Sequence, residues 1–249
     1  MHPHPLVRLS PRSIIQPTTD FIQPFEGSEV SDLKLVSLNV ARPQLTVYNG
    51  TTINTGIFKK PVSGPIPLRK LNLDGDRQAD LSVHGGPNKA VYAYPSEHYP
   101  YWRQELPGTD LPFGHFGENF TTEGLSEDAL HIGDRLQIGS SIVMVRQPRT
   151  PCYKLAAKFR RDDMIERFLI SGRSGFYLSV EQEGTVDVGD TFELLTRNKD
   201  GVTIAEMNRL LVSDRYDHDL LHKAVSTAAL PEDWREYFSK RIDTLAAAK

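Results

Sequence analysis

The chain has 249 residues, 39% hydrophobic and 24% charged, which suits one sizeable core with a small appendage and argues against disorder throughout. A net charge of -3 gives no overall basic surface for wrapping nucleic acid, so a nucleic-acid polymer is not an expected partner. No run of about 18 apolar residues occurs and the N-terminus lacks the pattern of a secretory signal, so no membrane association is expected and a cytoplasmic protein is the default reading.

Residues 1–30 carry five prolines and no acid before Asp20, and are expected to form an extended N-terminal arm. Arg8 and Arg12 leave a mitochondrial presequence as the alternative, although the prolines oppose an amphipathic helix there. Residues 31–197 read as a β domain of short alternating runs broken by Gly, Pro and Asn, with strands predicted at Ile66 to Leu71, Ile142 to Val145 and Phe176 to Val180. Two stretches echo each other, Ile132-Gly133-Asp134 leading into Arg135 to Ile138 and Val188-Gly189-Asp190 leading into Thr191 to Leu194, as turns feeding alternating strands do in a barrel or in two ordinary hairpins. Helices are predicted at Ser96 to Leu106 and from Cys152 to Ile170. Residues 198–249 change character, with three apolar stripes (Ile204, Met207, Leu210, Leu211; Leu220, Leu221, Val225; Trp234, Tyr237, Phe238, Ile242) that predict a small three-helix subdomain packed on the β body or on a partner.

Charge is unevenly placed. Leu33 to Leu73 holds six Lys or Arg and no acid, and Arg135 to Arg161 holds seven and none. If the tracts meet in space they form an anion site; otherwise they are solvated strand faces. The only cysteine, Cys152, lies in Gln147-Pro148-Arg149-Thr150-Pro151-Cys152-Tyr153-Lys154, where a strand is expected to pass into a helix. Flanking Arg149 and Lys154 favour a thiolate able to attack electrophiles or bind a soft metal, against the alternative of an inert small core residue. His84-Gly85-Gly86-Pro87 combines a proton donor with backbone that a ligand can approach closely, or is a simple glycine turn. Glu118 and Asn119, set between Phe116 and Phe120, need buried partners and either brace a site or read a ligand's polar edge. Asp74, Asp76 and Asp80 lack the terminal Glu of a calcium loop, and no Walker, dinucleotide or nucleophile-elbow motif is present.

Taken in order, Lys59-Lys60-Pro61, Leu73-Asp74-Gly75-Asp76, His84-Gly85-Gly86-Pro87, Tyr94-Pro95, Glu97-His98-Tyr99, Trp102, Phe116-Gly117-Glu118-Asn119 and the segment around Cys152 resemble MOSC domain proteins (molybdenum cofactor sulfurase C-terminal type) of the YiiM-like group. The resemblance runs from about Asn54 to Thr196, and the C-terminal stripes resemble the three-helix appendage of the same group. It implies a mainly β fold with helices: a MOSC-type β-barrel with inserted helices and a small C-terminal three-helix subdomain. It also implies a molybdenum-pterin cofactor with Cys152 as the metal ligand, and reduction of N-hydroxylated compounds such as hydroxylaminopurine-type bases. Cofactor contacts then fall to Lys59, Arg69, His84, Gly85, Asn119, Arg149, Thr150 and Lys154, and the catalytic roles to Cys152 and His84. A recombinant chain lacking the cofactor is expected to hold sulfate or phosphate there instead. With no flavin or nicotinamide motif in the chain, a separate electron-donor reductase is the expected partner, and a homodimer stays open. The competing readings are a carrier of the cofactor or of sulfur on Cys152 without turnover, and a metal-free thiol enzyme using Cys152 and His84.

Overall fold

In the computed structural model, residues 33–79 and 85–247 are described; the expected N-terminal arm and His84 lie outside them. The strands are β1 (Lys34–Val40), β2 (Gln44–Tyr48), β3 (Thr51–Thr55), β4 (Lys60–Val62), β5 (Ile66–Leu68), β6 (Val91–Pro95), β7 (Phe120–Glu123), β8 (Arg135–Ile138), β9 (Ser141–Pro148), β10 (Phe176–Gln182), β11 (Gly184–Val186) and β12 (Phe192–Thr196), with buried and more exposed side chains alternating along β8, β9 and β10. The helices are α1 (His98–Glu105), α2 (Tyr153–Phe159), α3 (Met164–Ile170), α4 (Ile204–Leu211), α5 (His218–Ser226) and α6 (Glu232–Ala247). Eight strands form one sheet in the order β12-β8-β9-β10-β6-β7-β1-β4, antiparallel except for the parallel pair β6 and β7. Two small sheets, β2 with β3 and β5 with β11, complete a mixed α/β fold. The echoing segments of the sequence become β8 and β12, which pair with each other.

The eight strands do not run as one closed ladder. β4 occupies the free edge of β1 at Leu38, Asn39 and Val40, so only the start of β1 reaches the segment entering β12, through the Lys34–Thr191 bridge and the hydrogen bonds Leu35 N to Asp190 O (2.9 Å) and Gly189 N to Leu35 O (2.8 Å). The helix expected from Cys152 to Ile170 is two, because Arg160 adopts a left-handed conformation (φ 52°) and ends α2.

The three C-terminal helices have no core of their own. Ile204, Met207, Leu221, Trp234 and Phe238 join Leu38, Phe120, Val143, Val145, Phe176 and Leu178 of the sheet in one buried cluster. Thr203 opens α4 with a reciprocal capping box to Glu206, and Asp217 caps α5 by accepting from Leu220 N (2.9 Å), so each short helix begins where its polar cap stands. A second cluster of Tyr94, Tyr99, Trp102, Phe116, Leu155 and Phe168 lies among β6, α1, α2 and α3.

Because Phe238 is fully buried in the shared cluster, Phe238→Ala is expected to lower stability by about 3–5 kcal/mol. In chemical denaturation the helical and sheet signals should shift together; two separate transitions would show that α4 to α6 fold apart from the sheet.

Candidate active site

The end of β9 delivers Gln147, Pro148 and Arg149, and the chain then turns through Thr150 and Pro151 to Cys152. Cys152 is the N-cap of α2, extended at φ -132° and ψ 175°, and its carbonyl accepts from Leu155 N (2.8 Å). Pro151 suits this place because the residue before a helix must stay extended and a proline has no N–H to lose. Its thiol, partly exposed, faces a cavity that Arg149, Thr150 and Lys154 line from its own segment. Lys59, Gly85 and Asn119 line the same cavity from segments distant in sequence.

The two basic tracts therefore meet. Lys59 comes from the first, and Arg149 and Lys154 from the second. Arg77 and Lys89 add two more cations, and no carboxylate belongs to the described lining. Burial lowers the pKa of Lys59, opposed by Asp76, whose carboxylate accepts from its ammonium at 2.6 Å. Burial likewise lowers that of Lys89, with Asp233 opposing. Arg149 donates to Phe116 O at 2.5 Å and sits over the rings of Tyr92 (4.8 Å) and Phe168 (5.3 Å). Burial works against its charge, but Tyr92, Tyr177 and Cys152 outweigh that and hold its pKa above the ordinary value. Among the described residues Lys154 is buried with no carboxylate paired to its ammonium.

Asn119 reaches the cavity wall but its amide is already engaged. It accepts from Tyr92 N (3.2 Å) and donates to Asp76 Oδ2 (3.0 Å) and Asn39 O (3.3 Å), so it braces the wall. Arg69 is not brought to the cavity: its guanidinium is half-exposed and pairs with Asp74 (3.2 Å) and Glu183 (3.9 Å), because the turn after β5 points it to solvent. Thr150 is exposed at the rim, and Gly85, at φ 109°, presents bare backbone. His84 is outside the described residues. Glu118 is buried away from the cavity lining, where Tyr99 and Thr121 hydroxyls and Gly114 N donate to one carboxylate oxygen and burial pushes its pKa up.

The sequence reading missed Arg77, Lys89, Tyr92 and Tyr177. Arg77 follows Leu73-Asp74-Gly75-Asp76 directly and Lys89 lies two residues past His84-Gly85-Gly86-Pro87, so the local signal existed. Tyr92 and Tyr177 become neighbours only when β6 and β10 pair in register, with ring centroids 5.3 Å apart.

Residues 80–193 match the MOSC domain and residues 202–245 match the YiiM-like, 3-alpha helix domain. YflK of Bacillus subtilis is 42% identical over 211 residues, spanning 85% of this chain and 95% of YflK. The chain belongs to the MOSC family. The crystal structure of YiiM from Geobacillus stearothermophilus, 35% identical, superposes on this MOSC protein with a TM-score of 0.71 over 84% of this chain and 99% of that one. A protein of Gibberella moniliformis named a reductase is 33% identical over 175 residues, which make up 69% of this chain and 31% of the reductase. Among the described residues of the MOSC protein no helix is long and apolar enough to cross a membrane.

Two outcomes follow from the geometry. Asp76→Asn leaves the buried Lys59 charge uncompensated and is expected to cost about 3–5 kcal/mol in chemical denaturation, whereas the double variant Lys59→Met with Asp76→Asn recovers part of that loss. His115, beside Phe116, is held by burial and then by the Lys158 charge at a pKa of about 4. The unfolded chain therefore takes up a proton first, and stability falls as pH drops from about 6.5 towards 4. His115→Leu should flatten that part of the stability curve, and an unchanged slope would exclude His115 as its source.

Proposed function

We propose that this MOSC protein is a molybdenum-dependent oxidoreductase that reduces N-hydroxylated compounds, hydroxylaminopurine-type bases among them, with Cys152 as the thiolate ligand of a molybdenum-pterin cofactor. The observation that carries the reading is the convergence of one cysteine with Lys59, Arg77, Lys89, Arg149 and Lys154 around a cavity whose described lining holds no carboxylate. That donor set fits the cofactor: sulfur suits a soft metal and the cations suit a phosphate. When bound, the cofactor supplies the two-electron chemistry that amino-acid side chains lack.

The chain's own residues bind and orient. Lys154, with no paired carboxylate among the described residues, donates to an anionic oxygen. Arg149, clamped by Phe116 and two rings, gives a fixed positive field beside Cys152. Lys59 is neutralised by Asp76 and secures the wall rather than the ligand. Gly85 lets a ligand approach the backbone, Thr150 offers a hydroxyl at the rim, and His84 is assigned the proton donor's role.

One feature supports the wider reading. The Lys34–Thr191 bridge brings the start of β1 to the segment entering β12, which supports a MOSC-type barrel over residues 31–197 with the helical subdomain at 198–249. A separate protein as electron donor is part of the same reading. A cytoplasmic setting and a homodimer belong to the same proposal.

The test is the molybdenum and pterin content of the native protein and of Cys152→Ala, both made in a host that produces the cofactor, followed by turnover of a hydroxylamine with an artificial electron donor. Expected are near-stoichiometric molybdenum and turnover in the native protein, with at least tenfold less of each in the variant. Metal-free native protein after reconstitution would overturn the proposal; bound cofactor without turnover would make the chain a carrier.

A further inference from the structure

Outside the cavity, α5 presents His218 and His222 four residues apart on an exposed face. One helical turn stacks such residues, and here the two imidazoles are 4.3 Å apart with their Nε2 atoms at 3.2 Å. With metal–nitrogen bonds of about 2.0–2.1 Å, two nitrogens at that separation subtend roughly 100° at a shared ion, between the square-planar and tetrahedral angles. Asp219 lies behind the pair, its carboxylate 3.7 Å from His218 Nδ1. The neighbouring cation is turned away, since Lys223 donates to both carboxylate oxygens of Glu206 at 2.9 and 2.8 Å. Asp217 is committed to its cap.

The geometry points to a second metal site, in which His218 and His222 chelate one divalent transition-metal ion through Nε2 on the surface of the helical subdomain. Among the described residues no group of three or more His, Cys, Asp or Glu surrounds an ion position, so water fills the remaining coordination positions. Two imidazoles select copper, nickel or zinc and reject magnesium and calcium, which take oxygen ligands. The site is independent of the cavity and of the cofactor proposed there.

The experiment is calorimetric titration of the full chain carrying Cys152→Ser, which removes the competing thiol, with copper, zinc and magnesium salts. Expected is one copper per chain, weaker zinc and no magnesium. His218→Asn and His222→Asn should each weaken copper binding at least tenfold while leaving the circular dichroism and unfolding midpoint unchanged, since both side chains are exposed. Failure of the Cys152→Ser chain to bind copper overturns the site and leaves a simple His–His hydrogen bond. Equal copper affinity in the variants also overturns it and moves the ion elsewhere, His2 and His4 being the first candidates.

Discussion

A single buried carboxylate ties together three segments of this fold that lie apart in sequence. Asp76 is fully buried and accepts from Lys59 Nζ, from Ala41 N after β1 and from Asn119 Nδ2 before β7. An ionised group in that position is tolerated only because each oxygen has a partner and a cation touches it. The same contacts fix Asn119, whose side-chain Oδ1 in turn accepts from Tyr92 N, so the wall of the cavity inherits its shape from Asp76. Gly56 adds a constraint of the same kind: a Cβ there would lie 2.5 Å from Arg77 O, so the absent side chain is what lets the Arg77 backbone close the wall.

The helical subdomain reaches the cavity through a chain of polar contacts. Asn208 of α4 donates to Ser174 Oγ (2.8 Å) and Gly172 O (3.0 Å), and Ser174 O accepts from the Tyr92 hydroxyl (2.8 Å). Tyr92 then lies under the Arg149 guanidinium. Helices this short are marginal alone, and burying Ile204, Met207 and Phe238 against the sheet supplies what their own length cannot. The arrangement makes the appendage part of the scaffold behind the site rather than a free module.

Residue patterns made some of this legible before any coordinates. The apolar stripes at Ile204, Leu220 and Trp234 became α4, α5 and α6, because helical spacing is a local property. The two acid-free tracts left an anion site and solvated strand faces both open, and it is the fold that brings Lys59, Arg149 and Lys154 to one cavity. Position on a face was harder. Arg69 looked equivalent to Lys59 in sequence, yet one is buried on Asp76 and the other lies at the surface on Asp74 and Glu183. The break at Arg160 was hidden because Leu155, Phe159, Ile165 and Phe168 keep near-helical spacing across it, and a left-handed arginine leaves no mark in composition.

The cations around Cys152 divide by what already holds them, and that division decides what the cavity can accept. Lys59 is matched by Asp76, Arg77 donates to Asp76 O (3.1 Å), and Arg149 is clamped between Phe116 O and aromatic rings. Three positive groups are thereby fixed in place, and fixed charges favour an anion without losing side-chain entropy when it arrives. Lys154, buried with no paired carboxylate among the described residues, and Lys89, held by no side-chain hydrogen bond among them, are left to adjust to a ligand's own geometry. A rigid positive wall with adjustable ammoniums would position an anion beside the thiol, which is the placement that the proposed cofactor, combining phosphate and soft-metal chemistry, requires.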